Sequence, residues 1–191
     1  MTLGFGCGCL KRKTSKEILA ESFREVAERK NIDKITVKDI TENCGYSPAT
    51  LYRQFRDKYD LIAWEYTREL KNILSKMDGS KAEWQNVLLN VSHFFQDRKS
   101  YLANLFLHTS GLESFMGYMQ EVHFQRLKDI VEKASLSPAI DALTEMYIRL
   151  YVLGTVQFTC EWILGKFEAS VEELTMVFVQ TFPAPLQKYL S

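Results

Sequence analysis

A short run of hydroxyl, aromatic, basic and amide side chains follows Gly45, and these residue types suit contacts with nucleic acid. The run comprises Tyr46, Ser47, Pro48, Ala49, Thr50, Tyr52, Arg53, Gln54 and Lys58. Arg53 carries a planar fork of donors that matches O6 and N7 of guanine, and Ala49 is small enough to meet a thymine methyl group. The chemistry that these residues could perform is recognition of double-stranded DNA.

Two short helices joined by a tight turn would position this run. Thr36 can cap the first helix through its hydroxyl group, and Gly45 supplies the backbone freedom that a turn needs. Ser47 then suits the N-cap of the second helix and Pro48 its first position, where a missing N–H group costs nothing. The sequence therefore predicts a helix-turn-helix unit whose second helix, at about 48–54, enters the major groove.

The rest of the chain also has a helical pattern, because apolar residues recur at steps of three and four and no long alternating run indicates strands. The pattern predicts an all-α fold. The predicted helices cover about 15–30, from 36 onward, 48–54, 58–77, 81–95, 100–108, 112–133, 137–164 and 171–181.

The domain organisation follows from one break in this pattern, at Asp78-Gly79-Ser80. Residues 1–13 form a Gly-rich leader that we expect to be disordered. Residues 14–58 would form the DNA-binding domain, with a connecting helix at 58–77. Residues 80–191 would then form a second, larger helical domain.

Residues 36–58 closely resemble the DNA-binding motif of the TetR family of bacterial transcriptional regulators. The matching residues are Thr36, Val37, Ile40, Gly45, Ser47, Pro48, Thr50, Leu51, Tyr52, Phe55, Lys58 and Leu61. Gln54 departs from the Tyr or His that is usual in the family. The resemblance implies an all-helical homodimer with a three-helix DNA-binding head and a C-terminal helical bundle for regulation and dimerisation. Residues 84–86 and the aromatic-rich segment 94–115 are similar to the subgroup that contains the dihydroxyacetone-kinase operon activator.

The resemblance also implies which side chains contact DNA. Phosphate contacts, which fix register without reading sequence, would come from Thr36, Ser47, Tyr52 and Lys58. The residues themselves leave two alternatives open. Tyr52 could pack on the first helix, and Arg53 could pair with Asp57 at the surface.

Residues 146–164 are apolar nearly all the way round a helix, and such a helix must be covered on more than one side. Two helices from each of two chains could supply the cover as a four-helix bundle. The expected interface residues are Leu153, Val156, Cys160, Leu164, Leu174, Val177 and Phe178. Such a dimer would place its recognition helices about 34–36 Å apart, so the operator should be an inverted repeat.

Polar side chains within apolar helices are the candidates for an effector pocket, because ligand sites are mostly apolar with few polar groups. With the aromatic residues around them, they are Trp84, His93, Phe106, His108, Phe115, His123, Tyr147, Gln157, Glu161 and Trp162. Each could equally be an ordinary core or surface residue. We expect a repressor whose operator affinity is controlled by a ligand in this domain. The alternative is a co-activator whose C-terminal domain binds a partner protein.

Composition bounds the class of protein. The net charge is zero, but residues 11–76 carry 15 Lys and Arg against 11 Asp and Glu, and residues 77–191 carry 9 against 13. A basic front half suits nucleic-acid binding.

No uncharged stretch reaches the roughly 18 residues of a membrane span, and no secretory signal is apparent, so we expect a cytoplasmic protein. The motifs of phosphate loops, nucleophile elbows and metal sites are missing, so we expect neither an enzyme nor a cofactor or metal.

Overall fold

Helices make up all the regular structure in the residues that the computed structural model describes, which are 12–74, 81–108, 115–135 and 139–190. The helices are α1 (Ser15–Ala27), α2 (Val37–Asn43), α3 (Pro48–Tyr52), α4 (Lys58–Leu74), α5 (Lys81–Asp97), α6 (Lys99–His108), α7 (Phe115–Ala134), α8 (Ala142–Ile163) and α9 (Val171–Gln180). Short 3-10 helices follow α1 (Ile32–Lys34) and α9 (Ala184–Tyr189). The all-α prediction is confirmed, although neither 3-10 helix was predicted.

Local capping sets where the first two helices begin. Thr14 and Glu17 form a reciprocal capping box at the start of α1, and Thr36 and Asp39 form the same arrangement at α2. Each box satisfies backbone N–H groups that would otherwise lack a partner. The predicted starts of both helices are therefore confirmed, whereas α1 ends at Ala27 and not at 30.

The head consists of α1, α2 and α3 around a small apolar centre. Phe23, Ile40 and Leu51, one from each helix, are fully buried, and burial of each such side chain contributes about 1.5–3 kcal/mol to folding. The Ser22 hydroxyl donates to the Ile40 carbonyl at 2.6 Å and joins α1 to α2. These contacts fix the position of α3 relative to the other two helices.

The turn between α2 and α3 depends on Gly45, whose φ is +70°. Glycine adopts this conformation freely, whereas a side chain at Cβ is strained there. The Tyr46 N–H donates to the Thr41 carbonyl at 2.8 Å and closes the turn. The predicted turn at this glycine is confirmed.

Helix α3 is shorter than predicted and ends at Tyr52. Ser47 occupies its N-cap and Pro48 its first position, but the Ser47 side chain makes no capping hydrogen bond. Its hydroxyl lies 3.2 Å from the Thr50 hydroxyl instead. The prediction that the Ser47 side chain caps this helix is therefore wrong.

Helix α4 connects the head to the remaining helices. Asp57 Oδ1 accepts hydrogen bonds from the N–H groups of Tyr59 and Asp60 at 2.8 and 2.9 Å and caps the helix. The helix is described as far as Leu74. Its predicted end at 77 and the predicted break at 78–80 lie outside the described residues.

Helices α5 to α9 form the C-terminal core, in which α7 packs along α8 and α5 along α9. Two buried polar side chains of this core bond to backbone carbonyls, which satisfies donors that water cannot reach. Trp162 Nε1 donates to the Ala169 carbonyl at 2.9 Å, and the Tyr151 hydroxyl donates to the Phe178 carbonyl at 2.9 Å. Within the described ranges, no helix is both long and apolar enough to span a membrane.

Helices α8 and α9 both begin at capped positions. Asp141 accepts from the Thr144 N–H at 2.7 Å and begins α8 later than predicted; the predicted start at 137–138 lies outside the described residues. Ser170 and Glu173 form a capping box at the start of α9. The predicted beginning of α9 is therefore confirmed.

The predicted dimer-interface residues divide between the surface and the interior of one protomer. Leu153 and Val177 are both 42% exposed, and Leu164 is half-buried. The remaining candidates are buried within the protomer itself, and they are Val156, Cys160, Leu174 and Phe178. These side chains offer no surface to a second chain, so placing them at an interface needs correction. Helical periodicity identifies an apolar face but does not say which neighbour covers it.

Candidate nucleic-acid interface and regulatory core

Helix α3 and the residues at its two ends form one outward-facing surface, which carries most of the residues predicted to contact DNA. The exposed members are Ser47, Pro48, Ala49, Tyr52 and Arg53, and the half-buried members are Tyr46, Thr50 and Gln54. Leu51 anchors the helix from beneath, because its side chain is fully buried in the head. The arrangement leaves the polar side of α3 open to a large ligand.

The two alternatives for Tyr52 and Arg53 do not fit this geometry. Tyr52 is 60% exposed and therefore does not pack into α1. The Arg53 guanidinium donates to the Thr50 hydroxyl at 3.3 Å. Asp57, its alternative partner, has a carboxylate that caps α4. Both side chains are therefore available at the surface.

Thr36 is exposed at the start of α2, but its donors already have an acceptor. Its backbone N–H and its hydroxyl both donate to Asp39 Oδ2, at 2.7 and 2.8 Å. Hydrogen bonds from Lys30 and Thr36 lower the pKa of Asp39 to about 2, so this carboxylate stays charged. A phosphate contact through Thr36 would require it to release Asp39.

Lys58 has a role that differs from the predicted phosphate contact. Its ammonium group donates to the carbonyls of Ile32, Asp33 and Ile35, at 2.6, 3.3 and 2.8 Å. An ammonium group has three donors, and all three are used. Burial lowers the pKa of Lys58. The side chain holds the connection between α1 and α2 against the start of α4.

Two exposed basic residues of the head, Lys38 and Arg56, were not among the residues predicted to contact DNA. Arg56, between α3 and α4, has a side chain that is 87% exposed, and the side chain of Lys38 on α2 is 75% exposed. Each lies within 4 Å of an acidic residue one turn further along the chain, at 3.6 Å in both cases. Such exposed pairs are weak, so either side chain can exchange its partner for a phosphate.

A buried polar network joins the head to the core. Arg24 Nε on α1 lies 2.7 Å from Glu65 Oε1 on α4, and the Tyr101 hydroxyl on α6 donates to Glu65 Oε2 at 3.2 Å. Burial raises the pKa of Glu65 to about 7, although Arg24 opposes the shift. The three side chains tie three helices together at a single carboxyl group.

An aromatic cluster around Tyr66 lies where α4 meets the C-terminal core. The Tyr66 hydroxyl lies 2.7 Å from His123 Nε2, and its ring packs edge-on against Phe115 with 5.3 Å between centroids. Burial lowers the pKa of His123 to about 4, so the imidazole is neutral at pH 7. Since Tyr66 is on α4 and His123 on α7, this bond links the connecting helix to the core.

A cavity of about 40 Å³ lies beside His123, among α5, α7, α8 and α9. Its lining is Leu88, Val91, Ser92, Phe95, Met119, His123, Thr155, Val156, Thr159 and Phe178. All of these described residues are uncharged when His123 is neutral. The cavity could therefore hold a small uncharged group that accepts or donates a hydrogen bond.

Only part of the predicted effector pocket comes together. Phe106, Phe115 and His123 belong to the aromatic cluster, since Phe106 and Phe115 have ring centroids 5.8 Å apart. Tyr147 is half-buried and packs against the core. The aromatic cluster also contains Tyr66 and Tyr118, which were not predicted because they resemble ordinary members of an apolar stripe.

The other predicted pocket residues lie elsewhere, and their placement in one pocket needs correction. Trp84 packs on Phe182, Trp162 is buried beside Ala169, and His93 is exposed. His108 lies 3.5 Å from Asp33 in the head. Gln157 and Glu161 bond to each other at 2.8 Å on the outside of α8. Spacing along a helix shows which residues share a face, but it does not show whether that face lines a pocket or meets solvent.

The described residues contain no group of three His, Cys, Asp or Glu side chains that could hold a metal ion.

Residues 82–183, more than half of the chain, match the C-terminal region of a family of transcriptional regulators. Residues 18–63, which include the helix-turn-helix unit, match the bacterial regulatory proteins of the tetR family. The chain belongs to the TetR family. Members of the TetR family are DNA-binding transcriptional regulators and not enzymes, which agrees with the outward-facing α3.

Curated relatives include two bacterial regulators. DhaS of Lactococcus lactis subsp. lactis (strain IL1403), an HTH-type dhaKLM operon transcriptional activator, is 20% identical over 101 residues. That match covers 53% of this chain and 54% of DhaS, about half of its length. YfiR of Bacillus subtilis (strain 168), an uncharacterized HTH-type transcriptional regulator, is 29% identical over 151 residues, with 77% and 68% of the two chains covered.

Solved structures of TetR-type proteins have the same fold. The dihydroxyacetone kinase operon activator DhaS superposes with a TM-score of 0.68 at 19% identity, covering 93% of this chain and 98% of that one. A TetR transcriptional regulator from Rhodococcus sp. RHA1 gives a TM-score of 0.62 at 16% identity, with 94% and 99% covered. At these identities the likeness shows the fold alone.

Proposed function

We propose that this TetR-family chain is a repressor that binds an inverted-repeat operator as a homodimer, with its affinity controlled by a ligand in the C-terminal core. The observation that carries the proposal is the exposed polar face of α3, held rigidly by Leu51 and by the turn at Gly45. A rigid helix that projects polar side chains from a small head can enter a major groove without rearrangement.

Each exposed residue of α3 has a task that its chemistry suits. Arg53 would read a guanine, and Ala49 and Thr50 would contact base edges beside it. Ser47 and Tyr52 would hold phosphates at the two ends of the helix. The positive charge of Arg56, next to α3, would strengthen the attraction to the phosphate backbone of the DNA. Lys58 has no part in this set, because its donors are used within the protein.

A second copy of the chain would cover the apolar surface of α8 and α9. On α8, the exposed large apolar residues are Leu143, Met146, Leu150, Leu153 and Phe158, and on α9 they are Met176 and Val177. The first four α8 residues follow steps of three and four, so they form one stripe, as in helices that pack into bundles. The stripe supports a homodimer, which an inverted-repeat operator requires.

The ligand-control part of the proposal depends on the bond between Tyr66 and His123. A ligand that competes for His123 would break the 2.7 Å contact with α4. α4 begins at the head, so its displacement would change the spacing of the two recognition helices. A ligand controls affinity only if it binds the two arrangements unequally.

The test is a binding measurement with the full chain. Operators are selected from random double-stranded oligonucleotides at low ionic strength, and their affinity is then compared with that of scrambled competitors. We expect enrichment of an inverted repeat with half-sites about one helical turn apart. Equal affinity for selected and scrambled duplexes would overturn the proposal.

A co-activator that binds a partner protein is the second candidate, and the size of the cavity favours it. The space beside His123 is about 40 Å³, much smaller than an engineered apolar cavity of about 150 Å³ that binds benzene. DhaS, to which this chain is similar, is an operon activator, and this also agrees with the candidate. A thermal-melting screen with small molecules and a pull-down from lysate separate the two: stabilisation by a protein alone supports the co-activator.

A further inference from the structure

Helix α6 has two faces that belong to different parts of the molecule. Leu102 and Leu105 are buried in the C-terminal core. A second face carries Tyr101, Asn104 and His108, whose spacing of three and four residues places them on one side of a helix. All three meet the head: Tyr101 packs on Phe23, and His108 lies 3.5 Å from an aspartate of the 3-10 turn.

Asn104 makes the most specific of these contacts. Its Nδ2 donates to the carbonyls of Ala27 and Lys30 at 2.8 and 3.1 Å. Its Oδ1 accepts from the Ile32 N–H at 3.1 Å. Carbonyls at the end of a helix lack an intrahelical partner, and Ala27 is the last residue of α1. One carboxamide therefore supplies hydrogen-bond partners for two carbonyls at the end of α1 and just beyond it, and for the first N–H group of the 3-10 turn.

Lys58 holds the same connection from the α4 side. Its ammonium binds the carbonyls of Ile32, Asp33 and Ile35. The connection, residues 31–35, thus lies between a side chain of α6 and a side chain of α4. Thr36, the N-cap of α2, is the next residue. A shift of either helix is transmitted within a few backbone bonds to the beginning of α2.

We propose that Asn104 is a positioning residue for DNA binding, because it holds residues 31–35 on α6 and thereby fixes the orientation of the head relative to the core. The inference rests on the proposed function and adds to it a route of control through α6, separate from α4. Without the carboxamide, the head samples orientations that do not fit the operator. The apparent affinity falls in proportion to the fraction of molecules that remain competent.

Two substitutions distinguish hydrogen bonding from the filling of space. Asn104→Ala removes all three hydrogen bonds, and we expect operator binding about tenfold weaker. Asn104→Asp keeps the size and the acceptor for Ile32 but turns an oxygen toward the Ala27 and Lys30 carbonyls. We expect it to bind at least as weakly as Asn104→Ala. If Asn104 merely filled space, the order would be reversed, and Asn104→Asp would bind the operator about as tightly as the unsubstituted chain.

Operator affinity of the full chain is measured by fluorescence anisotropy, with the same selected duplex for every variant. Asn90→Ala, the same replacement at an exposed position of α5, is the control and should leave the affinity unchanged. Helix content and thermal midpoint are recorded for each variant. Hydrogen exchange in the unsubstituted chain adds a measurement that needs no variant, because the Ile32 amide should be protected.

The outcomes separate the inference from the proposed function. If the unsubstituted chain prefers no duplex, the proposed function fails, and the inference fails with it. If that chain binds an operator but both Asn104 variants bind equally well, the inference alone is overturned. A Ile32 amide that exchanges at the rate of an unstructured peptide would also overturn it, even if the variants do not fold. Weakened binding in the expected order, with a protected amide, supports it.

Discussion

At the scale of single residues, charged side chains near the recognition surface have different functions according to where their donors point. The Arg53 guanidinium lies at the surface and donates to the neighbouring Thr50 hydroxyl, so it can turn to a base. Lys58 is surrounded by backbone carbonyls, and its donors are satisfied inside the protein. The two residues therefore lead to opposite expectations for DNA binding.

Arg53→Ala should relax the preference for one base pair of each half-site. A bidentate contact with guanine discriminates by about 1–3 kcal/mol, so the variant should tolerate substitution at that position alone. Affinities for a set of single-base operator variants measure the effect. Arg126→Ala, which removes the same charge from α7, should leave the preference unchanged. A uniform loss across all operators would mean that Arg53 contacts a phosphate.

Lys58→Ala should reduce stability and leave the salt dependence of DNA binding unchanged. The substitution removes the donors of three carbonyls, which should lower the free energy of unfolding by about 1–3 kcal/mol. Denaturant unfolding measures the stability, and operator affinity at several salt concentrations gives the slope. Lys166→Ala controls for the lost charge. A slope reduced by about one would restore Lys58 to the phosphate contacts.

At the scale of elements, the turn between α2 and α3 decides how the recognition helix is presented. Gly45 and Gly165 have nearly the same positive φ, +70° and +71°, but Gly45 joins the helices of the head and Gly165 follows α8. A Cβ at either position meets no atom within 4 Å. The effect of a side chain is therefore confined to the backbone conformation.

Gly45→Ala and Gly165→Ala should lower the free energy of unfolding by similar amounts, about 1–2 kcal/mol each. Only Gly45→Ala should also weaken operator binding, since relief of the strain reorients α3. Chemical denaturation and operator titration are measured on the same preparations. Equal operator affinities for the two folded variants would show that this turn does not set the position of α3.

The beginnings of the helices could be predicted from the sequence more accurately than their ends. Residues close in sequence determine the capping boxes of α1, α2 and α9, and the sequence predicted where all three helices begin. The end of α1 was placed too late, because Asn104 lies 77 positions from the Ala27 carbonyl that it binds. A hydrogen bond over that distance leaves no periodic trace in the sequence.

At the scale of the whole molecule, the head and the core meet at buried polar groups, and one of them titrates near neutral pH. Glu65 has a pKa of about 7 in the folded protein, against 4.5 when unperturbed. A carboxyl group with a raised pKa holds its proton more tightly in the folded state. Its contribution to stability is therefore complete below pH 4.5 and is lost as the pH rises through 7.

Glu65→Gln should remove this part of the pH dependence. The unsubstituted chain should lose free energy of unfolding between pH 4.5 and 7 relative to the variant. Denaturant titrations at several pH values measure the difference. Glu42→Gln, at an exposed position of α2, should follow the unsubstituted chain. Parallel curves for Glu65→Gln and the unsubstituted chain would show that Glu65 titrates normally.

The apolar stripe of α8 leads to a prediction about assembly. Leu150, 71% exposed in one protomer, should be covered in the homodimer, so Leu150→Glu should produce monomers. Leu107 on α6 is 67% exposed but lies away from the stripe, and Leu107→Glu should leave the dimer intact. Sedimentation velocity distinguishes the two species. If both variants were monomers, or both were dimers, the result would show that the α8 stripe is not the dimer interface.

The sequence by itself determined the helical class, the turn at Gly45 and the helix-turn-helix unit, because capping, turn formation and helical periodicity act between residues close in the chain. Tertiary structure decided that Lys58 is occupied, that Val156 and Cys160 are internal, and that His123 meets Tyr66 across 57 positions. The physical reason is that burial and long-range hydrogen bonds depend on which faces of the helices pack together. That choice is made by the whole chain and not by any single segment.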